Sequence, residues 1–185
     1  MKEIALITNF NVFEKATAAM QVAGALAGYG ATVLISESYK ERIFRMRESR
    51  SEYQYLPAEE LYRRAEILIV LGGDGSLNEV INGIKNPSKV TLGYIPTGSS
   101  NDFARGMGIP KDAKKALELI LNSEKIEKLD VGELVLGGKR RRFLVSAGMG
   151  FDAAVCHEVC ISKWKKILNR LKLGKLSYAV VALNR

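Results

Sequence analysis

A chain of 185 residues with 47% hydrophobic and 26% charged residues has the material for one ordinary domain, or one and a fraction, and no stretch has the composition of a disordered tail. No apolar run approaches the roughly 20 residues that a membrane span requires, and Met1 to Ala5 leads straight into a strand pattern without a signal peptide's apolar core, so the expected location is cytoplasmic. The formal charge of +8 favours phosphate-bearing partners or an anionic membrane surface; without zinc-finger spacing or an aromatic RNA-binding signature, nucleic acid is not the expected partner.

Glu3 to Thr8 reads as a strand, and Asn9-Phe10-Asn11 as the turn that leaves it. Helical spacing through Ala16, Met20, Ala23, Leu26 and Ala27 ends at Gly28 or Gly30, after which Ala31 to Ile35 reads as a second strand. This βαβ opening predicts a parallel sheet with right-handed crossovers. Tyr39 to Tyr55 is charged and weakly patterned, and reads as a solvated helix or loop, with a basic flap over phosphates as the functional alternative. Pro57 then opens a short helix from Ala58 to Arg64.

The centre of the chain is the run Ile67 to Val70 followed by Leu71-Gly72-Gly73-Asp74-Gly75-Ser76-Leu77-Asn78-Glu79. Four aliphatic residues and then three glycines around one aspartate describe a buried strand that stops in a tight loop, with helical spacing beyond it. Such a loop lets backbone approach a ligand and offers the free N–H groups of a helix start to an anion. Glycine-rich strand-to-helix turns also arise from packing alone. Asp74 tips the balance: a carboxylate among phosphate-binding amides repels the ligand unless it holds a cation or takes a proton, which points to metal-assisted phosphoryl transfer.

A second strand, Val90 to Ile95, leads into Pro96-Thr97-Gly98-Ser99-Ser100-Asn101-Asp102-Phe103-Ala104-Arg105. Hydroxyls and amides from Thr97 to Ser100 can donate to phosphate oxygens, Ser100 or Asn101 can cap the next helix, and Asp102 falls in its first turn. Two such loops at the carboxyl ends of neighbouring strands would converge on one crevice.

Ile109-Pro110 ends that helix, and Lys111 to Asn122 forms another with Ala113, Ala116, Leu117, Ile120 and Leu121 as its buried stripe. The organisation then changes. Lys125 to Val135 and Arg140 to Ala147 read as strands around Leu136-Gly137-Gly138-Lys139, a hairpin signal, so an α/β unit of residues 1–124 is followed by a β-rich unit of residues 125–185. Asp130 lies where the hairpin leaves the α/β unit, and Asp152 reads as the cap of a helix starting at Ala153. Cys156, His157 and Cys160 are too few for a metal site and read as structural thiols of a reducing compartment. The tail interleaves Lys163, Lys165, Lys166, Arg170, Lys172 and Lys175 with Trp164, Ile167, Leu168, Leu171 and Leu173. That pattern reads as a helix packed on its own domain with a basic face, and an interfacial helix on an anionic bilayer is the alternative. Leu176 to Leu183 reads as a further helix.

Gly72 to Glu79 together with Pro96 to Arg105 resembles the catalytic domain of the diacylglycerol kinase family, which includes bacterial lipid kinases and sphingosine kinases. Leu129-Asp130-Val131-Gly132 and Ala147-Gly148-Met149-Gly150-Phe151-Asp152-Ala153 fit the same pattern, with Ser76 and Ser99 standing where the family usually has Thr. The resemblance covers about Ile67 onward well and the first 60 or so residues loosely. It implies an open parallel-sheet α/β domain of the NAD kinase/diacylglycerol kinase type followed by the start of a β-rich domain, and transfer of the γ-phosphate of ATP to a lipid hydroxyl with Mg²⁺.

By the same resemblance, Gly72, Gly73, Gly75, Ser76, Thr97, Gly98 and Ser99 would hold the phosphates, with Asn78 and Glu79 nearer the ribose or ordering the loop. Asp74 would be the catalytic and metal-binding residue; Asn101, Asp102 and Asp130 would stand around the cleft. The family's first-strand loop, of Asn-Pro-x-Ser-Gly type, is here reduced to Asn9. The implied partner is a lipid at a membrane surface, with a peripheral position there; a homodimer is left open. The family's late Asp-Gly-Glu type motif does not follow Asp152, so the sequence reads as a fragment or as a chain that needs a partner. An NAD kinase shares the Gly-Gly-Asp-Gly loop and is the alternative enzyme; a catalytically silent nucleotide-binding module is the alternative outside enzymes.

Overall fold

The computed structural model describes residues 2–123 and 126–148, together with 150, 153, 154 and 157. The cap expected at Asp152, the thiols at Cys156 and Cys160, and the tail helices expected over residues 163–175 and 176–183 lie outside the described residues.

Five parallel strands form one sheet in the order β3-β2-β1-β4-β5: β1 is Glu3–Ile7, β2 Thr32–Ser36, β3 Tyr53–Leu56, β4 Ile67–Gly72 and β5 Thr91–Pro96. The strand order reverses between β1 and β4, whose register pairs Ala5 with Leu68 and Ile7 with Val70. Open α/β sheets bind ligands at such a reversal, outside the carboxyl ends of the strands. Strand β4 is central because it can be: Leu68, Ile69, Val70 and Leu71 are all buried, as a strand covered on both faces requires.

Helices cover both faces of the sheet. On one face lies α1, Phe13–Gly28, where Ala16, Ala19 and Ala23 are fully buried and let the helix sit close against the strands. It ends at Gly28, and beyond it Gly30, with φ of +77°, turns the chain into β2 at little cost for glycine. Helix α6, Ala113–Asn122, packs on the same side, with Asp112 accepting the amide of Lys115 as its cap (2.9 Å). The opposite face receives α3, Ala58–Arg64, and α4, Asp74–Gly83, through Leu61, Leu77 and Val80. Arg64 ties α3 to β1 by a hydrogen-bonded pair with Glu3, both side chains being half-buried.

The charged stretch after β2 forms the expected solvated helix and, beyond it, a strand that was not expected. It holds a short helix α2, Lys40–Arg45, and the edge strand β3, which pairs Val33 with Tyr53 and Ser36 with Leu56. Only Tyr53 of this strand is buried, so its Tyr-Gln-Tyr-Leu carries little hydrophobic signal; β2 supplies the ladder that makes it a strand.

After α6 the chain forms a separate antiparallel hairpin, β6 Gly132–Leu136 and β7 Lys139–Phe143. The strands are shorter than the sequence led one to expect, and Gly137 and Gly138, with φ of +55° and +75°, make the two-residue turn. Among the described residues no helix is long and apolar enough to cross a membrane.

Candidate active site

The Gly-Gly-Asp-Gly loop and the Pro-Thr-Gly loop leave adjacent strands, because β4 and β5 pair in register as far as Gly72 and Pro96. The amide of Thr97 donates to the carbonyl of Gly72 (2.8 Å), which continues the ladder into the two loops. Beyond it the backbones touch: a Cβ on Gly98 would stand 2.6 Å from Cα of Gly73, and one on Gly73 would stand 3.2 Å from Cα of Gly98. A Cβ on Gly72 would collide with Ser76 Oγ at 2.4 Å. Gly72 and Gly98 are therefore required by the protein's own packing, and Gly73 is a tight fit against Gly98. Gly75 is different, since a Cβ there would meet nothing within 4 Å; the side open to solvent is the side from which a ligand could approach.

Asp74 begins α4 and reaches across to the next helix, α5, Asp102–Gly106. Its Oδ2 accepts the amide of Asp102 at 2.8 Å and its Oδ1 that of Phe103 at 3.3 Å. The carboxylate thus takes the place of a cap from another part of the chain, at the positive end of a helix where a negative charge is stabilised. Asn101, expected as a cap, does another task. Its backbone is left-handed (φ +52°), it is buried, and its side chain both accepts from the amide of Gly98 (3.0 Å) and donates to the carbonyl of Gly98 (2.8 Å). Asn101 shapes the second loop, and Asp74 caps the helix that follows.

Tyr94, which the sequence marks only as part of the strand Val90 to Ile95, is buried beside this arrangement. Its ring meets Phe103 edge-on at a centroid distance of 5.8 Å, and its hydroxyl stands 3.5 Å from Asn101 Oδ1. Burial pushes the hydroxyl's pKa well above its ordinary value, and the charge of Asp74 pushes in the same direction. Tyr94 is a neutral donor at any working pH.

The remaining expected residues divide into those at the crevice and those turned elsewhere. Ser76 is in the first turn of α4, Ser99 is exposed on the second loop, and Thr97 has its hydroxyl oxygen buried without a hydrogen-bond partner. Asn9 leaves β1 at the same edge, where Thr8 Oγ1 donates to the carbonyl of Leu71 (2.7 Å) and ties the β1 loop to the β4 loop. Asp102 is exposed and paired with Arg105. Asp130 is exposed in the segment before β6. Asn78 and Glu79 face the hairpin: Asn78 Oδ1 accepts the amide of Leu144 (3.0 Å), and Glu79 pairs with Arg141. Asn82, one turn on from Asn78, bonds both the amide and the carbonyl of Arg142. The i, i+4 spacing of the two asparagines was the available signal for a shared partner.

A small cavity of about 210 Å³ opens beside the crevice at the carboxyl ends of β1 and β2, lined by Thr8, Ser36, Ser38, Tyr39 and Tyr62 among others. Among the described residues no three His, Cys, Asp or Glu side chains cluster to hold a metal ion, and the carboxylate at the junction of the two loops is that of Asp74. That donor set suits Mg²⁺, which is commonly held by one or two carboxylates together with substrate phosphates and water. The side of Gly75 is open, and the buried Thr97 hydroxyl oxygen on the neighbouring loop has no hydrogen-bond partner.

Comparison with known proteins agrees with this geometry. The diacylglycerol kinase catalytic domain matches residues 20–134, more than half of the chain. A diacylglycerol kinase of Staphylococcus carnosus is 46% identical over 94 residues, covering 50% of this chain and 29% of that protein. One of Staphylococcus aureus (strain JH9) is 38% identical over 109 residues, covering 58% of this chain and 33% of that protein. The matches thus span about a third of the length of these relatives. With the glycine loop, the parallel sheet and the matched residues in agreement, the chain belongs to the diacylglycerol kinase catalytic domain family.

Proposed function

We propose that this chain carries the nucleotide-binding and catalytic part of an ATP-dependent lipid kinase, which transfers the γ-phosphate of ATP to the hydroxyl of a diacylglycerol-like lipid. The observation that carries the reading is Asp74: a carboxylate fixed at the junction of two glycine loops by the amides of Asp102 and Phe103. Each of its oxygens keeps an unshared lone-pair direction after accepting one backbone bond.

In this reading the amides and hydroxyls of Gly72 to Ser76 and of Thr97 to Ser99 receive the phosphate oxygens. The Thr97 hydroxyl, buried without a partner, gains one. Asp74 would hold Mg²⁺, whose charge would offset the negative charge developing on the transferring group. Tyr94 and Asn101 keep the second loop in the shape that presents Thr97 and Gly98, and the helix amides keep Asp74 oriented so that little reorganisation accompanies the transfer. The nucleophile is the lipid's own hydroxyl. The net charge of +8 supports a substrate presented at an anionic membrane surface.

The test is incubation of the chain with γ-labelled ATP, Mg²⁺, mixed lipid micelles and NAD, followed by partition of the label. Label in the organic phase that disappears with Asp74→Asn is the expected result. Label on NAD would move the assignment to the nicotinamide substrate, and transfer to neither, with ATP bound, would mark a binding module.

A further inference from the structure

The loop that leaves β1 spends two of its backbone donors on itself. Asn9 accepts the amide of Asn11 on its side-chain oxygen (3.0 Å) and the amide of Val12 on its carbonyl (3.2 Å), so both N–H groups are bonded within the loop. Phe10 is buried with its ring 4.9 Å from that of Tyr39. Nevertheless the loop stands at the carboxyl edge beside β4, one strand from Gly73 and Asp74.

Arg42, on α2, reaches this loop. Its Nη2 donates to the carbonyl of Asn11 at 3.3 Å, while its Nε is buried and has no hydrogen-bond partner. Among the described residues no carboxylate pairs with it, and the adjacent Glu41 is engaged by Arg45 (3.5 Å). The other half-buried arginines are satisfied: Arg64 pairs with Glu3, and Arg142 donates to the carbonyls of Ile81 and Ile84. A desolvated donor without an acceptor costs about 1–3 kcal/mol. The guanidinium makes one hydrogen bond here, at Nη2, so the other donors of its planar fork, which suits an anion, are free beside the β1 loop.

We infer that Arg42 is an anion-binding residue of the nucleotide site, holding the polyphosphate of a nucleoside triphosphate along the edge from β1 to β4 and supplying donors that the Asn9–Val12 loop uses internally. This rests on the ATP reading above.

Equilibrium binding of the full chain to ATP, AMP and inorganic tripolyphosphate, each with Mg²⁺, tests it in the wild type, Arg42→Gln and Arg42→Lys. The Gln variant is expected to weaken ATP and tripolyphosphate about tenfold, as loss of a charged hydrogen bond does, and to leave AMP within about twofold. The Lys variant, which keeps the charge and loses the fork, falls between. Equal ATP affinity in the wild type and Arg42→Gln overturns the role of Arg42 and leaves the nucleotide reading standing. Wild-type binding of neither ATP nor tripolyphosphate overturns both. Arg42-dependent binding of tripolyphosphate without ATP binding supports the anion site and overturns the nucleotide reading. A readout that needs no variant is phenylglyoxal modification of wild-type Arg42, followed by peptide mass: tripolyphosphate is expected to slow it, and an unchanged rate overturns the inference.

Discussion

Asn82 holds the peptide group of Arg142 from both sides, its Oδ1 accepting the amide and its Nδ2 donating to the carbonyl, each at 2.8 Å. A side-chain amide here does what a neighbouring strand would do, and Asn78 repeats the action on the amide of Leu144 at 3.0 Å. Helix α4 therefore serves as an edge partner for β7. Because α4 begins at Asp74, the hairpin and the candidate catalytic carboxylate are mounted on one rigid element.

Asn82→Ala should cost roughly 2–3 kcal/mol, from several part-buried hydrogen bonds at about 1 kcal/mol each. Amide exchange across residues 132–143 should accelerate at the same time, while β1, β2 and β4 stay protected. Unchanged exchange in the hairpin would show that other contacts hold it.

The glycines should separate by role. Gly98→Ala forces the two loop backbones apart and should destabilise by about 1–3 kcal/mol, the range for overpacking. Gly75→Ala sits in the first turn of α4 with open space before it and should stabilise by about 0.5–1 kcal/mol through helix propensity. If phosphate rests against that turn, the stabilised protein should nevertheless lose ATP affinity. Urea unfolding and nucleotide titration of both variants measure the two effects.

Asp74→Ala removes the acceptor of two helix-start amides and should cost about 1 kcal/mol, as loss of a cap does. Asp74→Asn retains an oxygen for one of them and should cost less, so its catalytic loss would be read on a folded protein. Thermal unfolding of the two variants side by side checks the order.

Alkaline stability should report on Tyr94. Its folded pKa is raised above that of the unfolded chain, so its contribution is fully present below about pH 10 and is lost as pH rises beyond it, when the unfolded tyrosine ionises and the buried one resists. Tyr94→Phe should therefore lose less stability than the wild type between neutral pH and strongly alkaline pH, measured by urea unfolding at each.

At the other end of the scale Arg64 holds the Glu3 carboxyl below its ordinary pKa, chiefly by hydrogen bonding, with burial opposing it and the Arg64 charge adding a smaller effect. That stability is present above the unfolded carboxylate's pKa, about 4.3, and is lost as pH falls through the lower folded value. Glu3→Gln should be less stable than the wild type at pH 7, and the gap should close on acidification. A gap that persists at pH 2 would assign it to packing.

The sequence by itself determined the elements with dense local signals. The aliphatic run at Ile67 to Val70, the alanine stripe ended by Gly30 and the Gly-Gly turn of the hairpin each carry their instruction within a few residues, because periodicity and positive φ are local constraints. It also determined the family, through loops whose residues are contiguous. What only the tertiary structure decided is which group answers which. Gly72 and Gly98 look like ligand glycines and are needed by Ser76 and by the backbone of Gly73. Asn101 looks like a cap, yet Asp74, 28 residues away, does the capping. Strand β3 exists because β2 offers it a ladder, and Arg42 meets Asn11 across 31 residues. Hydrogen bonds between segments distant in sequence depend on positions that only the packed sheet fixes, and no local pattern encodes them.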